Sequence, residues 1–168
     1  GPIRVNEGNL EKYLGKERVS FEDANEEDEV GIVRGLAWTS VGGDTLQIEV
    51  NVMPGKGNLL MTGQMGDVMK ESAQIAVTYV KSLFPEHAEK FEKNDLHIHV
   101  PSGAVPKDGP SAGITLVIAL ASLVTGKAVD TQIAMTGEIS LRGGVMPIGG
   151  LPEKLMAAQR AGVKKVFI

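Results

Sequence analysis

The stretch from Ser111 to Thr125 constrains the fold most, because it has helical length and is apolar on nearly every face. Such a helix is stable only when other elements enclose it, so the stretch predicts a central buried helix. Gly126 follows directly and predicts the end of the helix, since glycine adopts the left-handed conformation without strain. The apolar run is too short to cross a bilayer. We therefore expect a domain built around one buried helix.

Strands and further helices flank this helix in the sequence. Leu46, Ile48 and Val50 alternate with Gln47 and Glu49, which is the pattern of a strand with one buried face. Further strands are predicted over 59–62, 96–100, 133–135 and 163–168. Two further helices are predicted over 67–83 and 152–161, and Asp67 is expected to cap the first of them. Together these elements predict an α/β domain with a mixed sheet.

Length and composition narrow the possible functions. The 168 residues suffice for one domain with a sizeable core. The absence of cysteine excludes disulfides, thiolate metal sites and a cysteine nucleophile. The net charge of −4 argues against a nucleic-acid partner, and no segment predicts a secretion signal or a membrane partner.

The first residues differ in character from the rest of the chain. A short predicted helix over 8–16 is followed by an acidic run over 22–29. We interpret residues 1–27 as the tail of a preceding unit with an acidic linker, and residues 28–168 as the domain. The first two residues, Gly-Pro, are the kind of remnant that removal of a purification tag leaves. Because the last predicted strand has no terminating element, we expect the natural protein to continue.

Residues 106–113, PKDGPSAG, place one hydroxyl at a turn directly before the buried helix. The free N–H groups of a helix N-terminus favour developing negative charge, and the two small residues after Ser111 are expected to leave its hydroxyl accessible. Since Pro110 has no N–H, the predicted oxyanion donors are the backbone N–H groups of Ser111 and of Gly109 or Asp108. An ordinary capping serine is the alternative explanation.

Lys154 is the candidate base for that serine. Ala157, Ala158 and Ala161 lie on its side of the predicted helix, so we expect the lysine to face the interior. Burial disfavours the ammonium form and lowers the pKa of a lysine, as a lysine general base requires. A serine and a buried lysine can form a nucleophile–base pair without histidine or aspartate. The alternative is a lysine whose amine reaches the surface.

Thr136 and two histidines are further candidates. The hydroxyl of Thr136 follows a predicted strand and is expected either to accept a hydrogen bond from the lysine or to bond to the backbone. His97 and His99 share one face of a strand, as a pair of metal ligands would, but no third ligand stands out. No glycine-rich nucleotide-binding fingerprint occurs. We therefore predict neither a metal site nor a cofactor site.

In series, these motifs resemble the ATP-dependent Lon proteases of the bacterial and organellar type. The matching blocks follow the order and spacing of that family: GLAWT at 35–39, VMPGKG at 52–57, TGQMGDVMKES at 62–72, HIHVP at 97–101, PKDGPSAG at 106–113, MTGEISLRG at 135–143 and GGLPEK at 149–154. The similarity covers residues 8–168. It departs from the family at Ser140, where threonine is more usual, and at Pro152, where a charged residue is common.

The resemblance implies the Lon-type proteolytic fold and a serine endopeptidase. Ser111 would be the nucleophile, Lys154 the general base, and Thr136 the residue that holds the lysine amine. Further residues that would shape, gate or support the site are Asp108, Glu49, Arg142, His97 and His99. The histidines would then be supporting residues rather than metal ligands.

The same resemblance implies the partners. Substrates would be unfolded or misfolded proteins and peptides, and the full-length protein would be a homo-hexamer. ATP and magnesium would bind an ATPase module that this chain lacks, so the chain alone would cut only peptides or unstructured chains. The expected compartment is the bacterial cytoplasm, with the mitochondrial matrix as the alternative.

Two other functions remain open from the residues. The Gly-Pro-Ser-Ala-Gly turn before an apolar helix partly resembles the phosphate loop of GHMP-type small-molecule kinases, although no pair of magnesium-binding carboxylates is evident near it. The second alternative is a non-enzymatic module that serves only as a ring scaffold.

Overall fold

A computed structural model describes residues 28–39, 42–101 and 103–168. The strands are β1 (Ile32–Thr39), β2 (Gly42–Pro54), β3 (Leu59–Thr62), β4 (Asn94–His99), β5 (Ile133–Met135), β6 (Glu138–Ile139), β7 (Val145–Met146) and β8 (Lys165–Phe167). The α-helices are α1 (Asp67–Leu83), α2 (Ala88–Glu92), α3 (Gly113–Thr125) and α4 (Leu151–Arg160). The predicted helix over 8–16 and most of the acidic run lie outside the described residues, so the boundary at residue 27 stays a prediction.

Six strands form one mixed sheet in the order β3–β4–β2–β1–β5–β8. Strand β2 is antiparallel to both of its neighbours, β1 and β4, whereas the β3–β4, β1–β5 and β5–β8 pairs are parallel. Strands β6 and β7 form a separate antiparallel hairpin. The mixed α/β fold predicted from the hydrophobic patterns is confirmed.

Helix α3 is the buried centre of the domain. Leu116 and Leu120 are fully buried in the main core, which also holds residues of α1 and the inward faces of β2 and β4. Gly126 ends the helix in the left-handed conformation, with φ of 70°, as expected. The helix begins at Gly113 rather than at Ser111, so the serine lies in the turn that precedes it.

Helix α1 begins differently from the sequence-based expectation. The N-cap residue is Gly66, and Asp67 is the first residue of the helix. No side chain caps this helix end from the N-cap position, so the predicted capping role of Asp67 is wrong. Instead, the N–H of Met69 donates to Oδ1 of Asp108, 39 residues further along the chain. A free N–H group at this helix end is therefore satisfied by the segment that precedes Ser111.

Helix α4 packs on β1 and β2, and Leu36, Ala134 and Ala158 form a second, smaller core there. The start of β2 touches the first turn of this helix. A Cβ atom on Gly43 would lie 2.0 Å from the carbonyl oxygen of Glu153, so only glycine fits at this contact. No helix in the described part of the chain is long and apolar enough to span a membrane.

Candidate active site

A cavity of about 810 Å³ holds the two central candidates, because Ser111 and Lys154 both line it. Ser111 reaches it from the turn before α3, and Lys154 reaches it from the first turn of α4. The sequence-predicted nucleophile and base therefore share one open space. Other residues that line this space include Leu36, Ala37, Trp38, Asp108, Glu138 and Ile148.

Backbone hydrogen bonds fix the turn that carries Ser111. The carbonyl oxygen of Ser111 accepts from the N–H of Gly137 at 2.9 Å, and the carbonyl of Gly137 accepts from Ile114 at 3.1 Å. Ala112 and Gly113 are buried, and a Cβ on Gly113 would lie 2.8 Å from the backbone of Ile139. The absence of a side chain at Gly113 thus allows close packing on β6. That Ala112 and Gly113 also leave the hydroxyl of Ser111 accessible stays a prediction.

Lys154 is only 2% exposed, which confirms the inward orientation predicted from its helical neighbours. Ala157 and Ala158 are buried beside it, although the third predicted neighbour, Ala161, is exposed. Loss of hydration at this position lowers the pKa of Lys154. The buried position therefore favours the neutral amine, which is the form that can accept a proton.

Thr136 is the hydrogen-bond partner of that amine. Its Oγ1 accepts from Nζ of Lys154 at 3.1 Å, and the side chain of Thr136 is 1% exposed. The backbone N–H of Thr136 donates separately to the carbonyl of Phe167 at 3.0 Å. Of the two explanations left open by the sequence, the structure has the hydroxyl bonded to the lysine.

Asp108 lines the cavity, and its carboxylate accepts a hydrogen bond from one of the predicted oxyanion donors, the N–H of Gly109. Its Oδ1 accepts from the N–H of Gly109 at 2.8 Å and from the N–H of Met69 at 3.1 Å. These backbone bonds hold the pKa of Asp108 below its ordinary value. In this conformation the N–H of Gly109 is directed to the carboxylate, so it must be released before it can bind an oxyanion.

His97 and His99 lie on β4 with both rings turned to one hydroxyl. Oγ1 of Thr62 is 2.9 Å from Nε2 of His97 and 2.7 Å from Nδ1 of His99. Glu49 pairs with His99 across the sheet, and its Oε1 accepts from Nε2 of Gln47 at 3.0 Å. Within the described ranges, no group of three histidine, cysteine or acidic side chains is placed to hold a metal ion.

The four other predicted site residues do not line the cavity. Glu49, His97 and His99 are not among the residues that line it, and Arg142 lies exposed in the turn between β6 and β7. The structure brings together Ser111, Lys154, Thr136 and Asp108, and it places the other four predicted residues elsewhere.

Sequence reasoning missed Trp38 and Glu138, which both line the cavity. Trp38 is 62% exposed, and a Cβ on Gly150 would lie 2.7 Å from its ring, so the indole covers the N-cap of α4. A large aromatic side chain exposed at a cavity is informative in a structure, but no local sequence pattern indicated that this strand residue would be exposed.

Comparison with known proteins defines the class. A family profile of the Lon protease (S16) C-terminal proteolytic domain matches residues 4–168. The fold is therefore that of a Lon-type proteolytic domain, and the chain belongs to the Lon protease family. The kinase and scaffold alternatives receive no support from this match.

Individual relatives agree with the family. The chain is 63% identical over 169 residues to the Lon protease of Lachnoclostridium phytofermentans, and 56% identical over 168 residues to Lon protease 1 of Bacillus subtilis. It is 56% identical over 169 residues to the Lon protease of Methanosarcina barkeri. These alignments cover 98–99% of this chain but 21–22% of each relative. The chain thus spans about a fifth of the length of the curated relatives it matches.

Proposed function

We propose that this domain hydrolyses peptide bonds with Ser111 as nucleophile and Lys154 as general base. The observation that carries the proposal is the amine of Lys154, which is 2% exposed, bonded to Thr136 and part of the cavity that Ser111 lines. A buried, neutral lysine beside a hydroxyl activates it without histidine.

The proposed reaction begins when neutral Lys154 removes the proton of the Ser111 hydroxyl as the oxygen attacks the peptide carbonyl. Thr136 accepts one N–H of the amine, which leaves the nitrogen lone pair free to take the serine proton. The backbone N–H groups of Ser111 and Gly109 bind the oxyanion, once Gly109 has left the carboxylate of Asp108. The lysinium then protonates the leaving amine, and Lys154 activates the water that hydrolyses the ester.

Strand β1 offers the substrate a place to bind. β1 pairs with β5 only at Arg34 and Gly35, so among the described strands none covers that edge of β1 further on. The following residues, Leu36, Ala37 and Trp38, line the cavity. An extended peptide can add to such an edge as a further strand, with its carbonyl presented to Ser111. An unfolded chain is able to do so, whereas a folded one has no free extended segment.

The proposal extends to the full-length protein through its relatives, which are named Lon protease. We expect a homo-hexamer that degrades unfolded or misfolded proteins in the bacterial cytoplasm, with ATP and magnesium bound by a separate module. Glu49, His97 and His99 would support the site through the end of β4, and Arg142 through the β6–β7 turn. None of these four residues needs to touch substrate in this scheme.

Cleavage of an unstructured fluorogenic peptide without ATP tests the proposal. Wild-type protein should cleave, while Ser111→Ala and Lys154→Met should lose turnover by at least about a thousandfold, as expected for loss of a nucleophile or its base. Lys70→Met is the matched control, because Lys70 is an exposed lysine on α1. Turnover that persists in Ser111→Ala would refute the assignment.

A further inference from the structure

Lys107 makes an unusual set of contacts for a lysine in a surface segment. Its Nζ donates to the carbonyl oxygen of Gly63 at 2.8 Å and to the carbonyl oxygen of Val100 at 2.7 Å. These carbonyls follow the ends of two parallel strands, since the β3–β4 ladder stops at Thr62 and His99. The ammonium thus bridges the strands one residue beyond their last pair.

The two carbonyls converge because of a glycine. Gly63 has φ of 104°, and a Cβ at this position would lie 2.2 Å from the carbonyl oxygen of Val100. The close approach places both acceptor oxygens within reach of one cation. Hydrogen bonds from an ammonium are stronger than those from neutral donors, and the compact group can serve two acceptors at once.

The residues that follow β3 also hold the backbone of Lys107. Its N–H donates to the carbonyl of Gln64 at 3.0 Å, and its carbonyl accepts from the N–H of Gly66 at 2.7 Å. Asp108 then bonds to Met69, so side-chain and backbone bonds from two consecutive residues fix this part of the chain. Ser111 follows four residues after Lys107, and nothing in the proposed reaction yet requires this lysine.

We infer that Lys107 is a positioning residue, whose ammonium ties the segment carrying Ser111 to the ends of β3 and β4. This inference rests on the proposed function of Ser111, because the position of the serine matters only if it reacts. A misplacement of about 1 Å in a reacting group can cost about a hundredfold in rate. Lys107 lines the same cavity as Ser111, but its amine is directed to the two carbonyls rather than to the reacting atoms.

The test compares three variants of the whole chain. Lys107→Met keeps the aliphatic stem without the charge, Lys107→Arg keeps the charge with a different donor geometry, and Lys70→Met removes an exposed lysine as control. Peptide turnover in Lys107→Met should show kcat lowered by about tenfold or more with KM little changed, and Lys107→Arg should recover part of the loss. Lys70→Met should behave as wild type.

Amide hydrogen exchange separates this inference from the proposed function. In Lys107→Met the amides of Gly66 and residue 107 should exchange about tenfold faster, while that of Leu116 in α3 should not change. Unchanged exchange at Gly66, or unchanged kcat despite faster exchange, would overturn the positioning role. A wild-type chain that neither cleaves peptide nor reacts at Ser111 would refute the proposed function instead, and exchange would still decide whether Lys107 ties the segment.

Discussion

Replacing Gly43 by alanine should impair catalysis, because the residue contacts the backbone that carries Lys154. The added methyl carbon would lie 2.0 Å from the carbonyl oxygen of Glu153 and 2.9 Å from the backbone nitrogen of Lys154. Ordinary contacts begin at 3.4 Å, so the peptide unit that carries Lys154 must move by about 1.4 Å or the start of β2 must yield. Arg160 holds the start of β2 to α4, because its Nη2 donates to the carbonyl of Gly43 at 3.0 Å.

We expect the first turn of α4 to move, and kcat for a fluorogenic peptide to fall by about a hundredfold with little change in KM. Overpacking of this kind should also cost about 1–3 kcal/mol of the free energy of unfolding. Gly103→Ala is the control, since a Cβ there would meet only a carbon of His99 at 3.9 Å. Wild-type kcat in a destabilised Gly43→Ala protein would show that the start of β2 yields instead, and would refute the argument that it positions Lys154.

Three further predictions concern the buried amine and the carboxylate. Thr136→Val should lower kcat by about tenfold to a hundredfold, since the amine of Lys154 loses its hydrogen-bond acceptor. The pH–rate profile of this variant should retain the acid limb that depends on the lysine. An unchanged kcat would contradict the role of Thr136. Lys154→Met should raise the melting temperature at neutral pH. The amine of Lys154 binds its proton more tightly in the unfolded chain than in the folded one, because burial lowers its pKa. The higher melting temperature of Lys154→Met should therefore approach that of the wild type as pH rises towards about 10.4. A difference in melting temperature that does not depend on pH would contradict this explanation. Asp108→Asn should lower the melting temperature above about pH 4, because the carboxylate stabilises the fold when ionised, and the difference should vanish as pH falls through its lowered pKa. A difference that persists in acid would refute that account.

The sequence predicted those features that depend on local periodicity. The alternation around Ile48 predicted β2, and the alanines beside Lys154 predicted its burial, because both patterns are set by which face an element buries. The apolar character of 111–125 likewise predicted the central helix. These are properties of single elements, and each can be obtained from about a dozen consecutive residues.

Contacts between distant segments were not predictable in this way. Asp108 satisfies the first turn of α1 in place of Asp67, and both residues are acidic, so the sequence offers no means of choosing between them. The occupation of the Gly109 N–H by the same carboxylate depends on loop geometry. The position of Trp38 on the cavity wall depends on a contact between residues 38 and 150, which lie far apart in the chain.

Covalent labelling of Ser111 tests whether Lys154 activates this serine. A fluorophosphonate reagent reacts with an activated serine, and intact-mass spectrometry followed by peptide mapping identifies the labelled residue. We expect one adduct on Ser111 in the wild type, with a labelling rate at least about a hundredfold lower in Lys154→Met. An equal rate in Lys154→Met, or an adduct on another residue, would contradict it.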